Sequence, residues 1–454
     1  MQDAQEKKYI TMTQAPVRAL VCRLAVPTII SMLVTSFYNM ADTYFVGKIG
    51  TSASAAVGVA FSMMSIIQAV GFFFGHGSGN YISRALGHHD FEDARQMAST
   101  GFFCASIAGT LIMISGLIFL EPLVYALGST PTIAPYTKDY LGIILIGAPF
   151  MTASLVLNNQ LRFQGSAIYA MAGIASGAVL NIALDPLLIF SFNMGIAGAA
   201  LATIISQFVG FCLLLIGCSK GGNLRVSIRL FRPTPERLKA IVSGGTPSLF
   251  RQGINSVSTI ILNFCASGYG DAAIAAMSIV TRIMMFANSC LIGFGQGFQP
   301  VCGFNYGARR YDRVREAFYF CVKLSTVVLA VLAVVGLIFA PQIVEIFRKG
   351  DPDVISIGQV ALRMQCITFP LAAWVVLSNM MLQTIAMTGK ASFLAIARQG
   401  LFFIPALLVL FKLFGLWGVE SAQAVADLIS FACAVPISRG VLLQMKREME
   451  KMSA

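Results

Sequence analysis

Residues 71–87 read GFFFGHGSGNYISRALG, and residues 291–307, 220 positions further on, read LIGFGQGFQPVCGFNYG. Phe74, Gly75 and Gly77 fall on Phe294, Gly295 and Gly297, and Gly87 falls on Gly307. At the same offset the match extends without a gap from Pro27–Arg95 onto Pro247–Arg315. Pro27 meets Pro247, Gly50 meets Gly270, Ala53 meets Ala273 and Ala56 meets Ala276. The coincidences are mostly Pro and Gly, which set backbone shape. Both copies lie in long apolar spans. The expectation is a membrane protein of two similar halves, a build in which secondary transporters bind substrate between repeats.

Composition points the same way. The 454 residues are 57% hydrophobic and 11% charged, where a soluble chain carries about 25% charged residues. Apolar stretches of about 20 residues, enough to cross a bilayer as a helix, recur twelve times. They lie near 24–46, 52–82, 97–120, 136–158, 167–191, 195–218, 241–266, 272–304, 317–340, 354–385, 391–414 and 417–440. They do not alternate as barrel strands would, so helices must satisfy their backbone in lipid. The expected fold is an all-α membrane protein with twelve transmembrane helices in two pseudo-symmetric six-helix bundles. The lobes are 1–218 and 241–454, joined by a basic linker at 219–240. Six helices per lobe make the repeats parallel, with their axis along the membrane normal. Further matches at a slightly larger offset pair Gly165 with Gly389 and Gly195 with Gly418.

The net charge of +12 is distributed by side rather than clustered for nucleic acid, which is excluded as a partner. With both termini on one side, that side carries Lys7, Lys8, Arg84, Arg162, Arg313, Arg398 and the six basic residues of the linker, among others. The opposite side has only Lys48, Lys138, Arg348, Lys349 and Lys412. The basic side is therefore expected to be cytoplasmic, in the cell membrane, and the linker to attract anionic lipid headgroups of the bilayer. No cleavable signal is expected near the N-terminus. Ten Cys without Cys-x-x-Cys spacing read as small hydrophobes. His88-His89-Asp90 reads as a solvated loop, and no His, Cys and acid set has metal-ligand spacing.

Ionisable groups inside membrane helices are functional hypotheses by default. In the first half these are Asp42 and Asp185, roughly 6 and 9 Å from the outer helix ends at 1.5 Å per residue. Asn181 lies four residues before Asp185 and shares its helix face. Pro186 leaves the carbonyl of Ile182 without its usual partner. Thr203, Tyr38 and Asn39 complete the cluster. Because burial disfavours a bare carboxylate, the cluster can hold a proton. Its carboxylate and carbonyl oxygens equally suit Na⁺ at Asp42, Asp185 and Asn181, the one possible metal site. The bland alternatives are a helix-end cap for Asp42 and a structural hydrogen bond for Asp185. Half two lacks matching acids: Leu262 stands at the Asp42 position. Asp427 reads as structural or auxiliary, with Arg282 and Arg363 as available partners for it or for Glu420.

With these residues assembled, the chain resembles the multidrug and toxic compound extrusion (MATE) family, most nearly its MepA-like branch. The likeness rests on PTIISMLVTSFYNMADTYFVG near 27–47, GHGSGNYISRALG, GFQPVCGFNYGARR and LNIALDPLLIF at 180–190. It implies two six-helix lobes, export of organic cations against H⁺ or Na⁺, and an acidic site in the first lobe at Asp42, Asn181, Asp185 and Thr203. Many Na⁺-coupled relatives have a Glu in helix 7, and Asn255 stands at the similar place, which favours H⁺.

Met (21) and Phe (34) offer adaptable walls for cationic or amphipathic drugs. The candidates are Phe37, Met40, Met63, Met64, Phe150, Met284, Met285 and Phe286, with Asn158 and Gln160 as polar liners. The function expected is a multidrug efflux antiporter, acting as a monomer without a cofactor beyond its coupling ion. The alternative is a lipid-linked oligosaccharide flippase, whose cavity would need several basic residues. No catalytic group set for an enzyme is present, nor a nucleotide-binding Gly-x-x-x-x-Gly-Lys loop.

Overall fold

The computed structural model describes residues 2–347 and 351–453. A short helix, α1 (Gln2–Gln14), leads into a first lobe of α2 (Val17–Gly47), α3 (Thr51–Gly87), α4 (Phe91–Ile118), the short α5 (Leu120–Ala126), α6 (Ala134–Phe163), α7 (Ala167–Pro186) and α8 (Gly195–Ser219). The second lobe has α9 (Pro235–Ser267), α10 (Asp271–Gly307), α11 (Tyr311–Ile338), the short α12 (Ala340–Phe347), α13 (Pro352–Thr368), α14 (Ala372–Thr384), α15 (Thr388–Ile396), α16 (Phe403–Phe414) and α17 (Leu416–Ser453). No strand occurs among the described residues. Arg348 and Lys349 lie outside them.

Two interrupted spans restore six crossings per lobe. α13 and α14 join through a 3₁₀ turn at Phe369–Leu371, where Pro370 cannot donate to the ladder. α15 and α16 join through a widened π-turn at Ala397–Leu401. Eleven helical spans among the described residues are long and apolar enough to cross a membrane. The remaining crossing, α9, is long enough at 33 residues but carries Arg251, Gln252, Asn255, Ser256, Ser258 and Thr259 within it. Part of that polar side lines a cavity in the second lobe.

The repeat is geometric as well as sequential. α3 and α4 start and end 220 positions before α10 and α11. The turns between them also correspond: His89 has φ 64° and Arg309 φ 56°. Backbone geometry corrects the two later pairings. Gly165 (φ 77°) corresponds to Ala386 (φ 64°) rather than Gly389, and Gly195 (φ 55°) corresponds to Gly415 (φ 60°) rather than Gly418. Ala386 does not look like Gly165 in sequence, so matching by Gly identity slid the register.

The lobes interlock at the end where the linker lies. Gly77 of α3 packs on the Ile241 backbone of α9, and Gly297 of α10, its repeat mate, packs on Ala25 of α2. Gly87 and Gly307 meet each other at the pseudo-axis, where a Cβ on either would lie 3.0 Å from the other's Cα. Thr28 Oγ1 donates to the Gly293 carbonyl across the same seam at 2.5 Å. Two repeated glycine pairs, Gly77 with Gly297 and Gly87 with Gly307, are thus places where one lobe's backbone touches the other's. Contact continues along α2 and α10 to Ser36–Ser289 at 3.2 Å and to an edge-on Phe37–Phe286 pair with centroids 5.9 Å apart.

α1 ties this end together. Lys8 Nζ donates to Ser166 Oγ at 2.8 Å and to Asn223 Oδ1 at 2.6 Å. From the second lobe, Asn305 Nδ2 donates to the Met12 carbonyl at 3.1 Å and Arg313 Nη2 to that of Ala15 at 2.5 Å. The His88-His89-Asp90 turn is exposed but docked. His89 lies on Tyr9, with ring centroids 3.6 Å apart, and reaches Glu6 at 3.7 Å. Asp90 caps α4 through the Asp93 N–H at 3.0 Å. Several residues read as surface charge are instead internal ties: Arg162 is 3% exposed and donates to Asn159 Oδ1 at 2.5 Å.

Candidate functional site

The acids of the first lobe come together. Asp185 is fully buried near the end of α7, directly before Pro186 and a π-turn at Leu187–Ser191. A proline at this point costs the ladder one hydrogen bond, and the wider turn comes directly after it. Asn181, one turn earlier, bridges two elements. With its amide turned so that nitrogen and oxygen each face a partner, it donates to Asp185 Oδ2 at 3.0 Å and accepts from the Thr203 backbone N–H of α8 at 3.2 Å. Asp42 of α2 lies within electrostatic reach of Asp185.

Tyr38 of α2 closes on the same spot, with Thr203 among its side-chain hydrogen-bond neighbours and both acids in reach. Asn39, in contrast, is exposed and only its carbonyl is engaged, accepting from Thr43. Tyr140 of α6, a residue the sequence reading missed, occupies the matching position: 1% exposed, close to Thr203 and both acids. A lone Tyr in an apolar span gives no periodic signal, so only packing reveals it.

One oxygen of each acid is buried without a partner, Oδ1 of Asp42 and Oδ1 of Asp185. A buried polar atom left unpaired costs about 1–3 kcal/mol, and more when charged. Among the described residues no group of three or more His, Cys, Asp or Glu forms a metal-holding cluster. Two carboxylates with spare oxygens, beside an amide and hydroxyls, can share a positive charge.

The drug-wall candidates divide. Phe37 (56% exposed), Met40 (53%) and Phe286 (41%) present large apolar surface, and Phe37 and Phe286 face each other across the lobes. Met284 and Met285 line the second-lobe cavity. Met63 is buried core. Met64 accepts from the Tyr140 hydroxyl at 3.9 Å, and Phe150 packs edge-on against Phe208 at 5.5 Å.

Asn158 and Gln160 are corrected: neither lines an open cavity. Asn158 Nδ2 donates to the Ala170 carbonyl at 3.2 Å, as Asn379 does to Ala391 in the other lobe at 2.6 Å. Gln160 Nε2 donates to Ser78 Oγ and the Ala98 carbonyl, each at 3.0 Å, fastening α6 to α3 and α4. Replacing Asn158 by Ala is expected to cost about 0.5–1.5 kcal/mol by removing a buried hydrogen bond between α6 and α7, the Ala170 carbonyl keeping its place in the helix ladder. Thermal unfolding in detergent would read that loss, while the set of transported compounds stays unchanged, unlike the effect of removing a drug contact.

Asp427 is also re-partnered. It pairs with Arg398 at 2.8 Å, not with Arg282, which is exposed, or Arg363, whose Nε donates to the Leu337 carbonyl at 3.2 Å. Arg398 consequently belongs to the interior of the second lobe rather than to the basic side. Glu420 is 3% exposed, with Oε2 unpartnered.

A family model described as MatE matches residues 27–187 and again 247–408, the two repeats. The multidrug export protein MepA of Staphylococcus saprophyticus subsp. saprophyticus is 29% identical over 415 residues, covering 91% of each chain. MepA of Staphylococcus aureus is 27% identical, covering 93% of this chain and 94% of that one. A solved outward-facing conformation of a multidrug resistance MATE family transporter of the MOP superfamily superposes with a TM-score of 0.91. It is 26% identical and covers 96% of this chain and 98% of that one. A crystal structure of MATE in complex with MaL6 gives 0.91 at 25% identity, covering 96% and 99%.

Proposed function

Because the chain belongs to the MATE family of membrane transporters, whose members are not enzymes, we propose that it is a multidrug efflux antiporter. It exports amphipathic organic cations from the cell in exchange for H⁺, by alternating access. The observation that carries the reading is the pair of carboxylates, Asp42 and Asp185, each with one buried oxygen unpartnered. Such a pair is stabilised by taking up a positive charge, and exchange follows when two positive charges compete for it.

The competition works only if the lobe's affinity for its cation differs between its two access states. The relevant state here is sealed at the linker end by Gly77, Gly87, Gly297 and Gly307, and with the basic side cytoplasmic it is the outward-facing one. H⁺ arriving from outside neutralises Asp185 and Asp42, loosens the hold on a bound cation and releases it outward. Exposed Phe37, Met40 and Phe286 supply the apolar wall along which a flat cation slides. Each chain carries both lobes, so a monomer in the cell membrane, with both termini cytoplasmic, contains the whole machine.

H⁺ is preferred to Na⁺ because two carboxylates, an amide and hydroxyls suffice for a proton, and because an amide, Asn255, rather than an acid stands midway along α9 of the second lobe. The test is efflux of a cationic dye from proteoliposomes under an imposed pH gradient and, separately, an imposed Na⁺ gradient. Dye movement is expected with the first and not the second. The reverse result would replace the proton with Na⁺ at the same residues, and movement with neither would remove the antiport reading.

A further inference from the structure

The second lobe holds a partly open cavity of about 100 Å³, lined by polar and apolar groups alike, that the exchange just described leaves unused. It is the pseudo-symmetric counterpart of the acid site. Ser258, Leu262 and Gln423 of its wall stand 220 positions after Tyr38, Asp42 and Thr203. Two carboxylates with spare oxygens in the first lobe are matched here by a buried ion pair.

Arg398 Nε donates to Asp427 Oδ1 at 2.8 Å and Nη2 reaches Oδ2 at 3.5 Å. Gln423 Nε2 adds a bond of 3.0 Å to Oδ1. The side chains are 14% and 4% exposed. Both carboxylate oxygens are therefore occupied, while a guanidinium carries five N–H groups and this one spends two on Asp427. Arg398 and Gln399, consecutive within the π-turn at Ala397–Leu401, both line the cavity. Asn288 and Gln365 add amide groups around them. The unspent capacity is that of a donor set with a positive centre, which suits a planar acceptor and offers little to a cation.

We infer that this cavity is a subsite for the carboxylate of zwitterionic substrates, held by the free face of the Arg398 guanidinium while the cationic end of the same molecule faces the Asp42–Asp185 lobe. The inference rests on the efflux reading above and names the side chain that receives the acidic end of a substrate carrying both charges. Asp427 holds the guanidinium in place, so Arg398 contacts substrate and Asp427 positions it.

The test uses full-length protein in proteoliposomes and two dyes of one ring system: a cationic rhodamine methyl ester and its free acid, a zwitterion. Wild type is expected to move both. The double variant Arg398→Gln/Asp427→Asn removes both charges together, which avoids leaving one buried and unpaired. It is expected to slow the free acid at least about tenfold, as loss of a charge-assisted contact does, with the ester within about twofold of wild type. Asp427→Asn alone releases the guanidinium and is expected to lower the half-saturating concentration of the free acid.

The inference is overturned if wild type does not carry the free acid, or if the double variant slows both dyes alike or neither. It is overturned equally if the ester alone slows, which would make Asp427 a cation site guarded by Arg398. Wild type that moves neither dye would sink the efflux reading along with it.

Discussion

Changing Asp185 to Asn is expected to abolish substrate-driven H⁺ release from proteoliposomes while leaving a folded, substrate-binding protein. The amide keeps the shape of the carboxyl group and can still pair with Asn181, now 3.0 Å from Oδ2, so packing between α7 and α8 is preserved. What disappears is the group that exchanges a proton. A coupling ion acts on substrate only through a free energy shared between their sites, and without an ionisable Asp185 the larger part of that energy is gone. Coupled release should fall by at least about tenfold, the equivalent of about 1.4 kcal/mol at the low end of measured couplings. An entrapped pH-sensitive dye reads the release, and dye binding to detergent-solubilised protein reads the affinity. Asp42→Asn should act in the same direction, because the two carboxylates sense each other. Full H⁺ release from the Asp185 variant would remove the proposed role of this residue.

The second large effect is expected at the pseudo-axis. Gly87→Val places a branched side chain where a Cβ alone would lie 3.0 Å from Gly307 Cα and would press on the Phe304 carbonyl. Overpacking of this kind costs about 1–3 kcal/mol. The cost falls only on the state in which the lobes touch at the linker end, so it shifts the access equilibrium by about 5- to 150-fold toward opening there. Efflux should be lost with the protein still folded.

Cys302 gives the direct readout. It is fully buried on α10 and lies in electrostatic reach of Arg84 from the other lobe. Alkylation of Cys302, resolved from the other nine cysteines by peptide mass, is expected to accelerate in the variant. Gly307→Val should reproduce the effect by symmetry, since its neighbours are the repeat mates Arg84 and Gly87. Unchanged alkylation together with unchanged efflux would show that the glycine contact does not set the access equilibrium.

Most of the architecture is carried by local signals. Spans of apolar residues fixed the helices, because lipid admits no unsatisfied backbone. The 220-residue offset fixed the parallel lobes, and the boundaries of α3 and α10, and of α4 and α11, obey it residue for residue. Asp42, Asn181, Asp185 and Thr203 were legible for a related reason: an acid in an apolar helix is costly, and an i, i+4 partner beside a proline points to one face.

Tyr140, Arg398 and the pairing of Arg398 with Asp427 were not legible. A residue's partner across a bundle depends on the rotation of two helices about their axes, and that rotation is set by contacts hundreds of residues away. The same holds for Asn158 and Gln160, whose amides look like cavity liners in the chain and are spent on the Ala170 and Ala98 carbonyls once helices pack. α9 falls between the two cases. Its polarity could be read from the sequence, but only the cavity of the second lobe explains which side of it faces inward. What sits in the membrane, how many times it crosses and which groups are chemically expensive were decided by the sequence, because each follows from a residue's own transfer energy. Which of those expensive groups meet, and which remain unpaired and ready for a ligand, was decided by tertiary packing, because pairing is a property of two surfaces and belongs to neither alone.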